Sequence, residues 1–242
     1  MYNNSMTKLT NDQIQQLHMY STYTTDSTHP LFTFQDMLDV KQITTIIETV
    51  QAISKSPNKD VAASYFSRRF GMFIAMQMYN LIAYEEIWKG DPKQLQFGHV
   101  EEYGNQVVSQ FVKESDWIDV SMEPIEQSLT FILHEQCMPF ITSIRTISNL
   151  SSRTFWENIF GFLLWHFHVL SENLVTAEEA NAVLETLKED TIWQGISDTS
   201  LFAIYLKGST PKTLLNTTVR TTCCFSKDVP GLMQCGYCPL KK

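Results

Sequence analysis

Four of the chain's five cysteines are crowded near its C-terminal end, as Cys223, Cys224, Cys235 and Cys238. Their pattern, C-C-x10-C-x2-C, constrains the fold more than any other feature of the sequence. A C-x2-C unit turns the backbone so that two thiolates converge on one centre, and Gly236 is expected to relieve that turn. The adjacent pair converges only where the backbone bends, because successive side chains of an extended strand point opposite ways. The loop between the pairs contains Pro230-Gly231 and is long enough to bring them together. Four thiolates hold either tetrahedral zinc or an iron–sulfur cluster, and ligand count does not separate the two. Structural zinc sites usually space each pair by two to four residues, so the adjacent pair weighs against zinc. A strained disulfide between the neighbours is a third option. Cys137 stands apart in a helical pattern and reads as a small buried apolar side chain, with its role otherwise open.

The rest of the chain reads as a helical body. Hydrophobic residues make up 43% of it and charged residues 18%, enough apolar material for one large core or two small ones. Ile43, Ile46, Ile47, Val50 and Ile53 keep helical spacing, which predicts an amphipathic helix over about Asp39 to Ser54. Ser56-Pro57 is expected to cap the next helix and place proline in its first turn. No proline interrupts Lys59 to Trp88, so the sequence predicts one long helix there, or two meeting near Gly71, ended by Gly90-Asp91-Pro92. The Met and aromatic residues from Phe70 to Tyr79 read as core.

Across residues 95–112 the turn at Tyr103-Gly104-Asn105 and the β-branched stretch after it predict a hairpin. Pro124 opens a helical pattern towards Ile147 that Pro139 should kink or divide. Ser151 or Ser152 is expected to cap a helix running through His166, and Thr176 with Glu179 spells a capping box. Beyond Thr191 periodicity fades into Gly, Ser, Thr and Pro. The expected fold is mainly α, with a small β-hairpin and a loop-rich C-terminal metal-binding tail. It divides into a helical body, residues 1–210, and a metal-binding segment, residues 211–242, where a metal substitutes for a hydrophobic core.

Charge and pattern narrow the chemistry. A net charge of −8 argues against nucleic acid, which needs a basic face. From Pro211 onward, however, Lys212, Arg220, Lys227, Lys241 and Lys242 face a single acid, Asp228. That tail reads either as a solvated end or as a positive rim accepting anions or an acidic protein. Met1 to Thr10 are polar, so no signal peptide is expected and the setting reads as cytoplasmic, where structural disulfides are rare. The apolar run Phe160 to Leu170 is broken by His166 and His168 and falls far short of the ~20 residues of a spanning helix, so no membrane span is expected. His166 and His168 point to different sides of a helix and make a poor metal pair. His134 and Cys137 could share a face, which helix packing also explains. No phosphate-binding glycine loop or nucleophile elbow is present to support nucleotide or acyl chemistry.

The run Arg220-Thr-Thr-Cys-Cys-Phe, then Pro230-Gly231, then Cys235-Gly-Tyr-Cys238-Pro239-Leu240, resembles the C-terminal signature of the FhuF-like ferric-siderophore reductase family. The resemblance covers about Arg220 to Leu240. Phe155-Trp156-Glu157-Asn158 also looks like the Trp-x-Asn helix start of that family, and His134 with Pro139 fits a looser His…Pro pattern. The resemblance implies a [2Fe-2S] cluster held by Cys223, Cys224, Cys235 and Cys238. It implies a ferric-chelate reductase, an oxidoreductase acting on metal ions, with no catalytic residue beyond the cluster ligands. The implied substrate is a ferric siderophore, hydroxamate type among the candidates. Electrons would come from a ferredoxin, a flavodoxin or a reduced flavin or nicotinamide system, in the cytoplasm or at the inner face of the membrane. Arg220, Lys227, Trp156, Asn158 and His134 are the candidate substrate-binding residues. A zinc-holding siderophore- or partner-binding protein and an iron–sulfur redox sensor are the alternatives.

Overall fold

The computed structural model describes residues 8–240. Lys241 and Lys242 of the expected basic tail lie outside them. Two reciprocal caps organise the N-terminal part. Thr10 accepts from the Gln13 N–H at 3.2 Å while the Gln13 side chain accepts from the Thr10 N–H, starting α1 (Asn11–Met19). After two short strands, β1 (Thr22–Tyr23) and β2 (Pro30–Thr33), Thr33 and Asp36 repeat the device at the start of α2 (Phe34–Leu38). The predicted amphipathic helix follows as α3 (Ile43–Ser54), with Ile43, Ile46, Ile47 and Val50 buried. Its N-terminal boundary is later than expected because α2 and a turn occupy the residues before it.

The central element is α4 (Lys59–Tyr84), whose buried residues cover every side of it. Asn58 caps it by accepting from the Val61 N–H at 3.0 Å. This corrects the expected cap: the Ser56 hydroxyl pairs instead with that of Ser54. The helix runs unbroken through Gly71 and ends before Trp88. Residues 86–88 form β3 (Glu86–Trp88), which pairs antiparallel with a strand about thirty residues further on. The hairpin is β4 (Gln96–Glu102) and β5 (Asn105–Phe111), joined by Tyr103 and Gly104 at φ 51° and 76°. Two successive positive-φ residues give the primed turn that matches strand twist. The sheet order is β1-β5-β4-β2, with β1 parallel to β5. The partner of β3 is β6 (Trp117–Asp119).

Pro124 precedes α5 (Ile125–Thr130), which passes into a π-helical turn, Phe131–Cys137, and then into α6 (Met138–Arg145). Pro139 does not interrupt this stretch; it falls in the first turn of α6, just after the π-helical turn, where its missing N–H is met by a change of helical type. Ser151 caps α7 (Ser152–Glu172) through the Thr154 N–H. Thr176 precedes α8 (Ala177–Lys188), but its hydroxyl donates to the Leu170 carbonyl at 2.7 Å, so the expected capping box does not form. Two short helices, α9 (Leu201–Leu206) and α10 (Pro211–Leu214), lead into the cysteine segment. Helix accounts for 55% of the structure and strand for 11%, a mainly α fold with a small hairpin. No helix among the described residues is long and apolar enough to cross a membrane.

The α4–α7 contact positions everything that follows. A Cβ on Gly71 would lie 3.0 Å from the Ile159 Cα and 3.2 Å from the Asn158 carbonyl oxygen, so only glycine lets the two backbones approach this closely. Phe34 and Phe140 pack on Phe70, with the Phe70 and Phe140 ring centroids 3.9 Å apart, and Phe66 packs on Phe140 in turn. Helix propensity alone would make a larger residue at position 71 favourable by ~1 kcal/mol. Overpacking reverses the sign: Gly71→Leu is expected to lower stability by about 1–3 kcal/mol in chemical denaturation. A stability gain would contradict the close crossing.

His166 on α7 packs against Tyr20 and Tyr79, and its Nε2 has no hydrogen-bond partner. Burial pushes its imidazole down from 6.5 to about 4. The unfolded chain therefore binds a proton that the folded chain refuses across that window. The contribution of His166 is fully present above pH 6.5 and falls by about 1.4 kcal/mol per unit as pH drops through it. His166→Phe should flatten that part of the stability–pH curve, measured by urea denaturation; an unchanged slope would contradict a buried neutral imidazole.

Candidate metal centre

The cysteine segment is fixed to the body by polar groups. Arg220 is buried and donates to the Thr222 carbonyl, to the α7 carbonyls of Glu157 and Thr154, and to the Asn158 side-chain oxygen at 2.7 Å. The Glu157 carboxylate, also buried, accepts from the N–H and hydroxyl groups of both Thr221 and Thr222. Burial alone would raise the Glu157 carboxyl, but these hydrogen bonds outweigh it and hold the group below its ordinary range. The amide nitrogen of Asn158 donates to the Ser64 and Ser67 hydroxyls on α4. Ser64 in turn donates to the Cys224 carbonyl at 2.8 Å. The backbone before and within the adjacent cysteine pair is thus pinned to both central helices.

The chain turns just after the pair. Phe225 adopts φ 56°, and its N–H points back to the Cys223 sulfur at 3.3 Å. A 3-10 turn over Ser226–Asp228 follows, and the Ser226 hydroxyl ties the loop to the Met233 carbonyl at 2.9 Å. Gly231, at φ 81°, takes the positive-φ position of that loop, beside Asn105 of the hairpin tip. The Cys238 N–H closes the C-x2-C turn on the Cys235 carbonyl at 3.3 Å. Gly236 does not have the strained conformation expected of it; a side chain there would only touch Asn216.

Cys224 and Cys235 line the same cavity, Cys224 from the adjacent pair and Cys235 from the C-x2-C turn. Interaction with the Cys235 thiol, with Arg68 and Arg220 nearby, outweighs burial and holds the Cys224 thiol below its ordinary range. The same interaction, with burial, pushes Cys235 up, so one proton of the pair leaves more readily than the second. Burial raises Cys223, reinforced by the charges of Cys224 and Cys238. The Gln234 amide and the Leu240 N–H donate to Cys238 at 3.0 and 3.4 Å. Among the described residues, no three His, Cys, Asp or Glu side chains stand grouped as a ligand set for a metal ion. The donor chemistry nevertheless fits a soft metal centre: two thiol pairs on one loop, with N–H groups aimed at the sulfurs of Cys223 and Cys238. Cys223, Cys224, Cys235 and Cys238 are the residues that would hold it.

A scan against models of known protein families and a search of curated proteins returned no match to this chain. The site therefore stands on its own residues. Beside the sulfurs opens a cavity of about 350 Å³, reaching Cys224 and Cys235. Asn158 and Arg220 line it, but Arg220, expected on an exposed positive rim, is instead buried and engaged with α7 because Glu157 lies opposite it. Lys227 is exposed on the loop. Trp156 is buried against Phe160 and Trp193 and lines a separate cleft of about 420 Å³. His134 pairs with the Ile192 carbonyl at 2.8 Å, on the π-helical turn. Cys137 is fully buried, and burial raises its thiol.

Sequence reasoning missed Arg68, which sits on α4 with its guanidinium 3.9 Å from the Cys224 sulfur. The available signal was a pair of arginines, Arg68-Arg69, inside an otherwise apolar helix. Arg69 turns the other way, onto Glu102 and the sheet.

Removing one partner of the buried ion pair leaves the other uncompensated. Glu157→Ala is expected to cost about 3–5 kcal/mol in denaturation. It should also make the buried Cys224 react rapidly with a thiol reagent, mapped by peptide mass spectrometry. Parental stability with Cys224 still protected would contradict the anchoring role.

Proposed function

We propose that this chain is a ferric-siderophore reductase in which Cys223, Cys224, Cys235 and Cys238 hold a [2Fe-2S] cluster, so that Fe(III) in a chelate is reduced to Fe(II) and released. The observation that carries the reading is the anchored C-C-x10-C-x2-C segment with a solvent-open cavity running up to Cys224 and Cys235. When bound, such a cluster supplies one electron at a time, at a potential set by charge, exposure and hydrogen bonds to sulfur.

The chain's own groups suit that task. Phe225, Leu240 and Gln234 direct N–H donors at cysteine sulfur. Arg68 and Arg220 hold positive charge beside Cys224, which favours the more negative, reduced form. The price is driving force, because a raised potential leaves less free energy for transfer to the chelate. Fe(III) is held in siderophores by hard anionic oxygens, and gaining one electron weakens that hold so that the metal exchanges out. No side chain needs to move a proton in this step. The electron donor on this reading is a ferredoxin, a flavodoxin or a reduced flavin or nicotinamide system, with Lys227 exposed on the same loop to meet an acidic partner. The reading places this work in the cytoplasm or at the inner face of the membrane.

The test mixes dithionite-reduced, desalted protein anaerobically with a ferric hydroxamate and an Fe(II)-trapping dye. Stoichiometric Fe(II) capture with bleaching reversed at the same rate is expected, and a Cys224→Ser, Cys235→Ser variant should give none. A reduced protein that stays reduced would contradict the reductase and favour a redox sensor. A colourless, zinc-containing protein would favour the structural-zinc alternative.

A further inference from the structure

Two guanidinium groups line the cavity beside the cysteines, and only one of them is neutralised. Arg220 spends its donors on Thr222, Glu157, Thr154 and Asn158 and lies 3.9 Å from the Glu157 carboxylate. Arg68 makes no ion pair among the described residues. Its contacts are the Cys224 sulfur and the face of Phe162, whose centroid is 6.0 Å from the guanidinium carbon. No Asp or Glu lines the cavity. A half-buried cation without a counter-charge carries a desolvation cost that an anionic guest would offset.

The remaining wall is aromatic. Tyr20, Phe162, Trp165 and Tyr237 contribute rings, and Trp165 is 52% exposed at the mouth. Aromatic walls favour a flat ring over a flexible alkyl chain. At about 350 Å³ the space is at the small end of ligand pockets, ~300–1,000 Å³, so it takes part of a bulky chelate. An aliphatic hydroxamate arm offers no ring, and a ferric trishydroxamate core carries no net charge. A catecholate arm offers a ring with adjacent anionic oxygens, and its ferric complex is strongly negative.

We propose that this cavity binds one planar aryl arm of an anionic chelate of the catecholate class, with Arg68 pairing with its oxygens and the aromatic side chains flanking its ring. The proposal rests on the reductase reading for its purpose and departs from the hydroxamate chemistry that the family resemblance suggested. Arg68 is then a substrate-binding residue contributed by α4, and the guest would lie against Cys224 and Cys235.

The test uses gallium(III), which matches Fe(III) in charge and size but is not reduced, so binding is read without electron transfer. The full chain, prepared anaerobically, is titrated with gallium(III) tris-catecholate and, separately, with gallium(III) desferrioxamine, a hydroxamate. The readout is the ligand-dependent change in tryptophan fluorescence, assigned to Trp165 because none of Trp88, Trp117, Trp156 and Trp193 lines the cavity. Saturable quenching by the catecholate is expected, at least about tenfold tighter than by the hydroxamate. Arg68→Gln should weaken it about tenfold, Arg68→Lys should weaken it less, and Trp165→Phe should remove the signal. If Arg68→Gln does not fold, Arg68→Lys and the salt dependence of the parent protein carry the same comparison, and salt-independent binding would overturn the proposal. Equal affinity for both complexes, an unchanged affinity in a folded Arg68→Gln, no saturable quenching, or binding of FMN in place of the catecholate would overturn it too. Failure here leaves the reductase reading to its own Fe(II)-release test, and failure of that test leaves a catecholate-binding cavity to be judged on the gallium titration.

Discussion

The cysteine segment hangs on one buried ion pair, Arg220 against Glu157, and on the hydrogen bonds that complete it. Neither residue would be stable in an interior alone, since an unpaired buried charge is costly. Together they balance each other's charge at 3.9 Å while other groups fill their hydrogen bonds: Arg220 reaches the carbonyls of α7, and Glu157 takes up the N–H and hydroxyl groups of Thr221 and Thr222. Asn158 carries the network on to Ser64 and Ser67, so the adjacent cysteines are referenced to both α4 and α7. The Gly71 crossing holds those two helices in register. Sulfur positions thus depend on a chain of contacts that begins deep in the helical body, and the tail is part of that body's packing.

This arrangement has an electrostatic consequence. The two arginines nearest the sulfurs have different jobs. Arg220 is neutralised by Glu157 and serves as an anchor, whereas Arg68 keeps its charge directed at Cys224 and the cavity. A positive group close to sulfur stabilises thiolate, which is the form that binds a soft metal. The same charge faces the cavity beside the sulfurs, which no Asp or Glu lines.

The elements legible in the sequence were those defined by local signals. The hairpin followed from Tyr103-Gly104 flanked by β-branched residues, and α3 from the spacing of its isoleucines. Ser151 was readable as a cap. What escaped was set by partners distant in the chain. Residues 86–88 continue a helical pattern, yet they become a strand because Trp117–Asp119 offers them a ladder. Thr176 has the residue type and spacing of a cap, but the Leu170 carbonyl takes its hydroxyl. Within the site, the cysteines and the need for a bend between them were evident from spacing. Arg220 was counted as surface charge because Glu157 lies far from it in sequence, and Arg68 went unnoticed because it is on a helix remote from the motif. Trp156 and Asn158, adjacent but for one residue, face different cavities, which helical geometry makes natural and no pattern announces.

The central claim is that these four cysteines bind a [2Fe-2S] cluster, and its most direct measurement is the EPR spectrum of the anaerobically purified protein with its iron, sulfide and zinc content. The account predicts a red-brown protein with two irons and two sulfides per chain, EPR-silent as oxidised and showing a rhombic spin-one-half signal on one-electron reduction. A colourless protein with one zinc per chain, and no signal on reduction, would contradict it.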